Sequence, residues 1–462
     1  MNMLRATTLL PLLSLLPACG PSKVCIGDCA GFEATGDLGD TSGQPGPDGE
    51  PTDSGDGSST MGPPIDSTTS TTMPPETDSG DGVCDLSVEN DFDPLQGCGD
   101  GSPNPREICF IEGSDVGVFG GLASAIPVRV NDGGVDVLFN KTDRTVSAQL
   151  DGPQPYFDVD QVDWQFQLPP GTFTLTDAAD IDADGVQDVV GRHESTVPGE
   201  HAIYVLKLTG AGDLKTHENF GIGEILHGPV LVDWNSDQHL DIVVIAIAIG
   251  DTDRSLIHLL GDGAGGFGPG VQQFLPLGDQ HRLFAIGDLD GGEDDDFAVT
   301  RADGGIDVHV GQPDFLHLDV GTTPEYHAIE ISDVDADGRG DILVLFDDLQ
   351  QNHISHVGVF LQVPAGEPTF ERTLYRVGCD ATTFALGDLD GDGAVDLVTA
   401  GTQGPLTLIR RGDGDGGFVE TVAFQLHPAD RLFVADFNGN GANDLLALDL
   451  AGSYLSFAEN TP

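Results

Sequence analysis

A nine-residue acidic segment recurs along this chain at a nearly fixed spacing, and that recurrence limits the fold more than any other feature. It reads "DIDADGVQD" at 180–188, "DWNSDQHLD" at 233–241 and "DLDGGEDDD" at 288–296. It returns as "DVDADGRGD" at 333–341, "DLDGDGAVD" at 388–396 and "DFNGNGAND" at 436–444. A worn copy in "RVNDGGVDVLF" ends at Asp136, so the closing aspartates fall at 136, 188, 241, 296, 341, 396 and 444. A period of about fifty residues marks an array in which each repeat is one supersecondary unit. Such a unit cannot bury its apolar face alone and must pack on its neighbours.

Each unit reads as β-structure. A short apolar run precedes the acidic loop ("PVLVD", "LFAIGD", "AIEISD", "FALGD") and another follows it ("DIVVIAIA", "DFAVT", "DILVLF", "DLVTAG"). A third run comes next ("AIYVLKL", "SLIHLL", "LTLIR"), then in some units a Gly-rich turn such as "GDGAGGF" or "GDGDGGF", then a fourth run. Four short strands with turn punctuation make a propeller blade, and seven repeats make seven blades. The expectation is an all-β, seven-bladed propeller over 114–462. Its last blade looks one strand short, and "REICFIEG" at 106–113 could close it, removing an open sheet edge.

The loop spacing D-x-[DN]-x-[DN]-G-x-x-D places oxygen-bearing side chains at positions 1, 3, 5 and 9 and a bend-permitting glycine at 6. Hard cations such as Ca²⁺ take six to eight oxygens, and this spacing offers most of them. Position 12 is Gly191, Val244, Val344, Thr399 or Ala447 inside an apolar run, which excludes an EF-hand, where a Glu and a helix belong. Three candidate sets match in full: Asp180, Asp182, Asp184 and Asp188; Asp333, Asp335, Asp337 and Asp341; and Asp388, Asp390, Asp392 and Asp396. Asp436, Asn438, Asn440 and Asp444 keep every ligand type with less charge. In Asp233, Asn235, Asp237 and Asp241 the turn glycine is replaced by Gln238. In Asp288, Asp290 and Asp296 position 5 is Gly292, and the worn copy at Asp136 reads as one that has lost its metal.

These loops resemble the FG-GAP (or VCBS) repeats of integrin α-chains and of many bacterial surface proteins, over roughly 115–462. The resemblance implies a calcium-loop propeller with about four to six structural Ca²⁺ sites. "CGDGSPNPREICF" is similar to a Cys-rich segment that often precedes such repeats in secreted bacterial proteins, with Arg106 where that pattern has glycine.

The N-terminal "MNMLRATTLLPLLSLLPACG" reads as an export signal over 1–18, its apolar run too short to span a bilayer. "LPAC" resembles a bacterial lipobox, which implies cleavage before Cys19 and its lipidation. Residues 19–83 read as an acidic tether; within it, 30–83 holds eleven carboxylates, no Lys or Arg and few large apolar side chains. Such a segment cannot offset its ordering entropy by burial, and as a coil it spans roughly 40 Å. Residues 84–113 form a Cys-containing segment. Apart from Cys19, six cysteines remain (25, 29, 84, 98, 109 and 379), and in an exported chain they suggest disulfides among fifteen possible pairings.

With 18 basic against 77 acidic residues the formal charge is −59, which excludes a nucleic-acid partner on sign and leaves contact with a membrane to the lipid anchor alone. The "RGD" at 411–413 lies in a strand turn and reads as structural. His193, His217, His227, His239 and His281 form no nucleophile–base–acid order. Trp164 and Trp234 read as blade packing. The expected role is a monomeric, non-catalytic binding or scaffolding protein on the bacterial envelope, its partner a surface or matrix protein or a glycan. A lectin is the alternative, and a polysaccharide lyase the third reading.

Overall fold

A computed structural model describes residues 108–460, apart from 109, 112–114, 119–120, 131–134, 143–144, 150–160, 166–169, 198–199, 252, 270, 274–280, 293–294, 311–314, 351–352, 364–368 and 404–405. The signal, Cys19, the tether and five further cysteines lie outside the described residues.

Two short strands come first, β1 (Phe110–Ile111) and β2 (Asp115–Gly117). Blade one follows as β3 (Leu122–Val128), β4 (Asp136–Lys141), β5 (Thr145–Gln149) and β6 (Gln161–Gln165). Blade two is β7 (Gly171–Ala179), β8 (Asp188–Ser195), β9 (Ala202–Leu208) and β10 (Leu214–Gly221). Blade three is β11 (Gly223–Val232), β12 (Asp241–Ala248), β13 (Arg254–Leu259) and β14 (Val271–Gln273). Blade four is β15 (His281–Gly287), β16 (Asp296–Arg301), β17 (Gly305–His309) and β18 (Leu316–Asp319). Blade five is β19 (Pro324–Ser332), β20 (Asp341–Asp348), β21 (Ile354–Val363) and β22 (Thr369–Cys379). Blade six is β23 (Ala381–Gly387), β24 (Asp396–Gly401), β25 (Leu406–Gly412) and β26 (Phe418–Gln425). The last blade holds β27 (Arg431–Ala435), β28 (Asp444–Asp449) and β29 (Tyr454–Asn460).

Within each blade the strands pair in chain order and antiparallel. Blade seven is completed from the front of the chain: Phe110 lies opposite Asn460, and Asp115 to Gly117 lie opposite Ser456 to Tyr454. First and last segments therefore share one sheet, whose outer edge runs on to Gly117.

The burial pattern explains why the second strands are apolar without alternation. All eight residues of β20 are buried, as are the first six of β12. Successive side chains of a strand point to opposite faces, and here both faces meet a neighbouring blade. Val189 enters the cluster shared with blade one, while Val190 enters the cluster shared with blade three. Val243 and Ile245 pack with Phe297 and Val299 of blade four, whereas Ile242 and Val244 face blade two. Every described core cluster lies between two successive blades, and the one joining Leu446 and Leu448 to Val137 and Phe139 closes the ring.

Neighbouring first strands lie beside one another, β3 against β7, β15 against β19 and β23 against β27, and β7 and β19 are only half-buried along much of their length. Fourth strands form the rim, and β10 and β18 are largely exposed. Trp234 stacks on His258 with ring centroids 6.0 Å apart and reaches Phe297 of the next blade at 6.2 Å, which makes it blade packing. Cys379, at the end of β22, is disulfide-bonded, and its partner lies outside the described residues.

Candidate metal centres

All six acidic segments occupy the same place, the turn from the first to the second strand of blades two to seven. A common hydrogen-bond pattern holds them. In blade five the position-1 carboxylate accepts from two loop amides, Asp337 N at 3.1 Å and Gly338 N at 3.0 Å. Asp335 accepts from Asp337 N and Asp337 from Arg339 N. The arrangement repeats at Asp180, Asp233 and Asp436. Position 2 points inward as a core residue (Ile181, Leu289, Val334, Leu389 and Phe437). That inward turn sets the side chains at 1 and 3 on the other side of the loop from the core residue.

The bend needs left-handed backbone at two positions. At position 6 the glycines 185, 338, 393 and 441 have φ of 87 to 88°. Gln238 takes the same conformation at φ 69°, so the bend survives without glycine in blade three. At position 4 Ala183, Ser236 and Ala336 also sit at φ 55 to 58°, where the other copies carry Gly291, Gly391 and Gly439. This second requirement was legible only as an alternation of small residues.

Three-carboxylate groups with oxygens within 4.8 Å of one another form at Asp180, Asp182 and Asp184; at Asp288, Asp290 and Asp296; at Asp333, Asp335 and Asp341; and at Asp388, Asp390 and Asp396. The blade-four loop, which lacks a position-5 ligand, gathers its carboxylates as well as the complete loops do. Asp188, Asp337 and Asp392 stand outside these groups, and no such group forms at 233–241. At 436–444 only two carboxylates exist, and Asn438 and Asn440 supply the remaining oxygens.

The closing aspartate has a structural task that the sequence did not announce. Asp341 Oδ1 accepts from Gln362 N at 2.8 Å, at the end of the third strand, and Oδ2 accepts from Val334 N at 3.1 Å. Asp396 holds Gly412 N and Leu389 N in the same way, and Asp444 holds Asn460 N and Phe437 N. The worn loop of blade one is one residue shorter, Arg129 to Asp136, and opens on Arg129 in place of the first carboxylate, yet Asp136 still accepts from Val130 N at 3.2 Å. Retention of this one residue in the worn copy was the signal available.

The residues present fit a hard cation. Asp188 is 1 % exposed, yet its Oδ2 has no hydrogen-bond partner, and neither has the buried Asp182 Oδ1. Buried unsatisfied oxygens are rare and call for a ligand. Burial, aided by the neighbouring loop carboxylates, pushes Asp188, Asp341 and Asp444 up to about 6 and Asp396 up to about 7. Ionised together near neutral pH, such groups lack a counter-charge. A bound divalent ion would supply it and cross-link the gathered carboxylates, positions 1, 3 and 5 in blade two and 1, 3 and 9 in blades four to six.

Lysines offer partial compensation in blade two. Lys215 Nζ lies 2.7 Å from Asp184 Oδ2 and 3.6 Å from Asp182 Oδ2, and Lys207 Nζ lies 3.9 Å from the latter. In blade six Arg411 Nε approaches Asp390 Oδ2 at 3.7 Å. That arginine belongs to the "RGD", where it is buried, while Asp413 Oδ1 accepts from Asp415 N and Gly417 N. The tripeptide is a turn element facing the blade-six acidic loop, and its Arg is not presented for recognition.

Residues 388–447 match the FG-GAP-like repeat family. No curated protein matches the chain. Among solved structures, BBS1N in complex with ARL6DN, in a lead-soaked crystal, is 12 % identical over 76 % of this chain and 97 % of its own, with a TM-score of 0.48. Its mercury-soaked counterpart is 13 % identical at the same coverage, with a TM-score of 0.49. The Cps50 (Swd1) β-propeller domain of Myceliophteria thermophila is 12 % identical over 76 % of this chain and 99 % of its own, with a TM-score of 0.48. The chain is a seven-bladed β-propeller carrying an FG-GAP-like repeat.

Proposed function

We propose that this protein is a calcium-stabilised, non-catalytic interaction module, exported and held on the bacterial envelope through lipidated Cys19. The observation that carries the reading is the repetition of gathered carboxylates at one end of successive blades, with buried oxygens in blade two that no protein group satisfies. Calcium there fixes the strands and leaves the opposite ends of the blades for a partner. Those ends, at the turns from second to third strand, expose Val197, Ile249 and Leu349, with Ile249 the most open at 66 %.

The His–Asp pairs support a structural rather than catalytic assignment. His327 Nε2 lies 3.2 Å from Asp347 Oδ2, and Ser355 Oγ donates to the other oxygen at 2.7 Å. The carboxylate therefore bridges Ser and His, whereas nucleophile activation needs the imidazole in the middle. Ser355 Oγ also accepts from Ala381 N of blade six, which makes the trio a blade-to-blade tie.

The test presents immobilised protein and its Ile249→Asp variant to purified envelope proteins and glycans in millimolar Ca²⁺. A partner retained by the first and released by the second, or by chelator, supports the reading. Equal retention contradicts it, as does release of unsaturated sugars from an acidic polysaccharide.

A further inference from the structure

At four of the seven blade junctions, among the described residues, one hydrogen-bond rule joins a first-to-second-strand loop to the loop before it. The residue at position 8 of a loop donates to the position-1 carbonyl of the loop on the preceding blade. Gly340 N donates to Asp288 O at 2.6 Å, and Val135 N donates to Asp436 O at 3.3 Å. Gln187 N donates to Arg129 O at 2.9 Å, Arg129 occupying position 1 of the worn loop. Between blades six and seven a side chain does this work, Asn443 Nδ2 donating to Asp388 O at 2.9 Å.

At that junction the path continues. Asn460, 1 % exposed, donates from Nδ2 to Leu389 O at 2.5 Å and to Asn443 O at 3.2 Å. Its own carbonyl accepts from Asn440 Nδ2 at 2.9 Å. Asn440 is position 5 of loop seven, where its Oδ1 is a candidate ligand. Because an amide fixes its oxygen and nitrogen on opposite sides, turning Oδ1 to a cation also fixes Nδ2 against Asn460. Leu389 sits between the candidate ligands Asp388 and Asp390, and its N–H holds the closing carboxylate of Asp396 at 2.8 Å. Aspartate at 440, 443 or 460 could accept but not donate when ionised, so the chain of donors requires amides.

We propose that the loops of blades six and seven are coupled, with Asn443 and Asn460 as positioning residues that tie the blade-six cation site to loop seven. This rests on the reading of the loops as calcium sites and adds their mutual dependence. Occupancy of loop seven orders Asn440, Asn460 and Asn443 in turn, and so sets the carbonyls on either side of the blade-six carboxylates. Loop seven's lower charge goes with a set of donors that the aspartate-rich loops lack.

The test is a calcium titration of the whole protein, read by hydrogen exchange so that each loop reports separately. The measured quantity is the Ca²⁺ concentration at which the segment 388–396 becomes protected. Asp436→Asn, which takes from loop seven a charge and one of the two oxygens that hold Asn440 N and Gly441 N, should raise that midpoint about fivefold, a usual size for coupling between sites. In an Asn443→Ala background the same substitution should move it less, because only the Asn460 bond to Leu389 O then links the two loops, and the midpoint at 333–341 on blade five should hold throughout. Where Asn443→Ala fails to fold, Asn443→Asp keeps the shape and removes the donor. A blade-six midpoint indifferent to Asp436→Asn, or a shift undiminished without the Asn443 amide, overturns the coupling while leaving calcium binding intact. Absence of calcium protection at every loop overturns the underlying reading and the coupling with it.

Discussion

Gln238 shows how one residue can keep a loop's shape at a cost. Its φ of 69° is a conformation that L-residues adopt at a penalty of roughly 1 kcal/mol or more. Glycine takes it freely, and a Cβ at the equivalent Gly185, Gly338 or Gly393 would meet nothing within 4 Å, so the cost is in the backbone alone. Gln238→Gly should therefore stabilise the protein by about 1 kcal/mol, visible as a higher denaturant midpoint with unchanged slope. A second residue-scale expectation concerns Lys215, whose ammonium sits 2.7 Å from Asp184. It places beside the blade-two carboxylates part of the positive charge that a bound cation would supply. Lys215→Met should tighten Ca²⁺ binding at 180–188 and make that loop's hydrogen-exchange protection more calcium-dependent, while the midpoint at 333–341 stays where it was.

At the scale of elements, the closing strand is the most consequential piece of the chain's front end. Phe110 is 3 % exposed and Ile108 fully buried, both in the cluster between blades six and seven. Phe110→Ala should cost about 3–5 kcal/mol, as large-to-small changes of core aromatics do, and should release protection in Tyr454–Asn460 ahead of other strands. A denaturation midpoint within error of wild type would remove β1 from the fold. The strands were legible because apolar runs flank each acidic segment at a regular spacing. Fine structure was less so: the fully apolar second strands read only as buried, and nothing in "DILVLF" says that alternate side chains serve different blades. The closing aspartates were legible as ligands, yet Asp341, Asp396 and Asp444 spend both oxygens on amides of the third strand and of position 2. That role depends on a partner 16 to 21 residues onward, a distance at which no local pattern marks the contact.

Over the whole molecule, a ring of seven similar units explains why stability and cation binding belong together. Each core cluster is shared between neighbours, so loosening one blade exposes the flanks of two others. The loops sit at the same end of every blade and are partly joined by the position-8 bonds. Period and loop spacing made this architecture readable from the sequence, whereas the blade-four loop looked defective because Gly292 replaces a ligand. The gathered set in the complete loops of blades five and six is likewise positions 1, 3 and 9, so losing position 5 leaves it intact.

The central claim is that calcium holds this ring, and the most direct test is the melting temperature of the protein in millimolar Ca²⁺ and then in chelator. With a Kd near roughly 0.1 mM, as in many extracellular sites, about 1 mM Ca²⁺ adds roughly 1.4 kcal/mol per site. Four such sites would amount to a gain comparable with a domain's whole stability, and a melting temperature higher by ten degrees or more is expected, on the order of ~2–4 °C per kcal/mol for a chain of this size. Identical melting in calcium and chelator would contradict the account and leave the gathered aspartates as acidic turns.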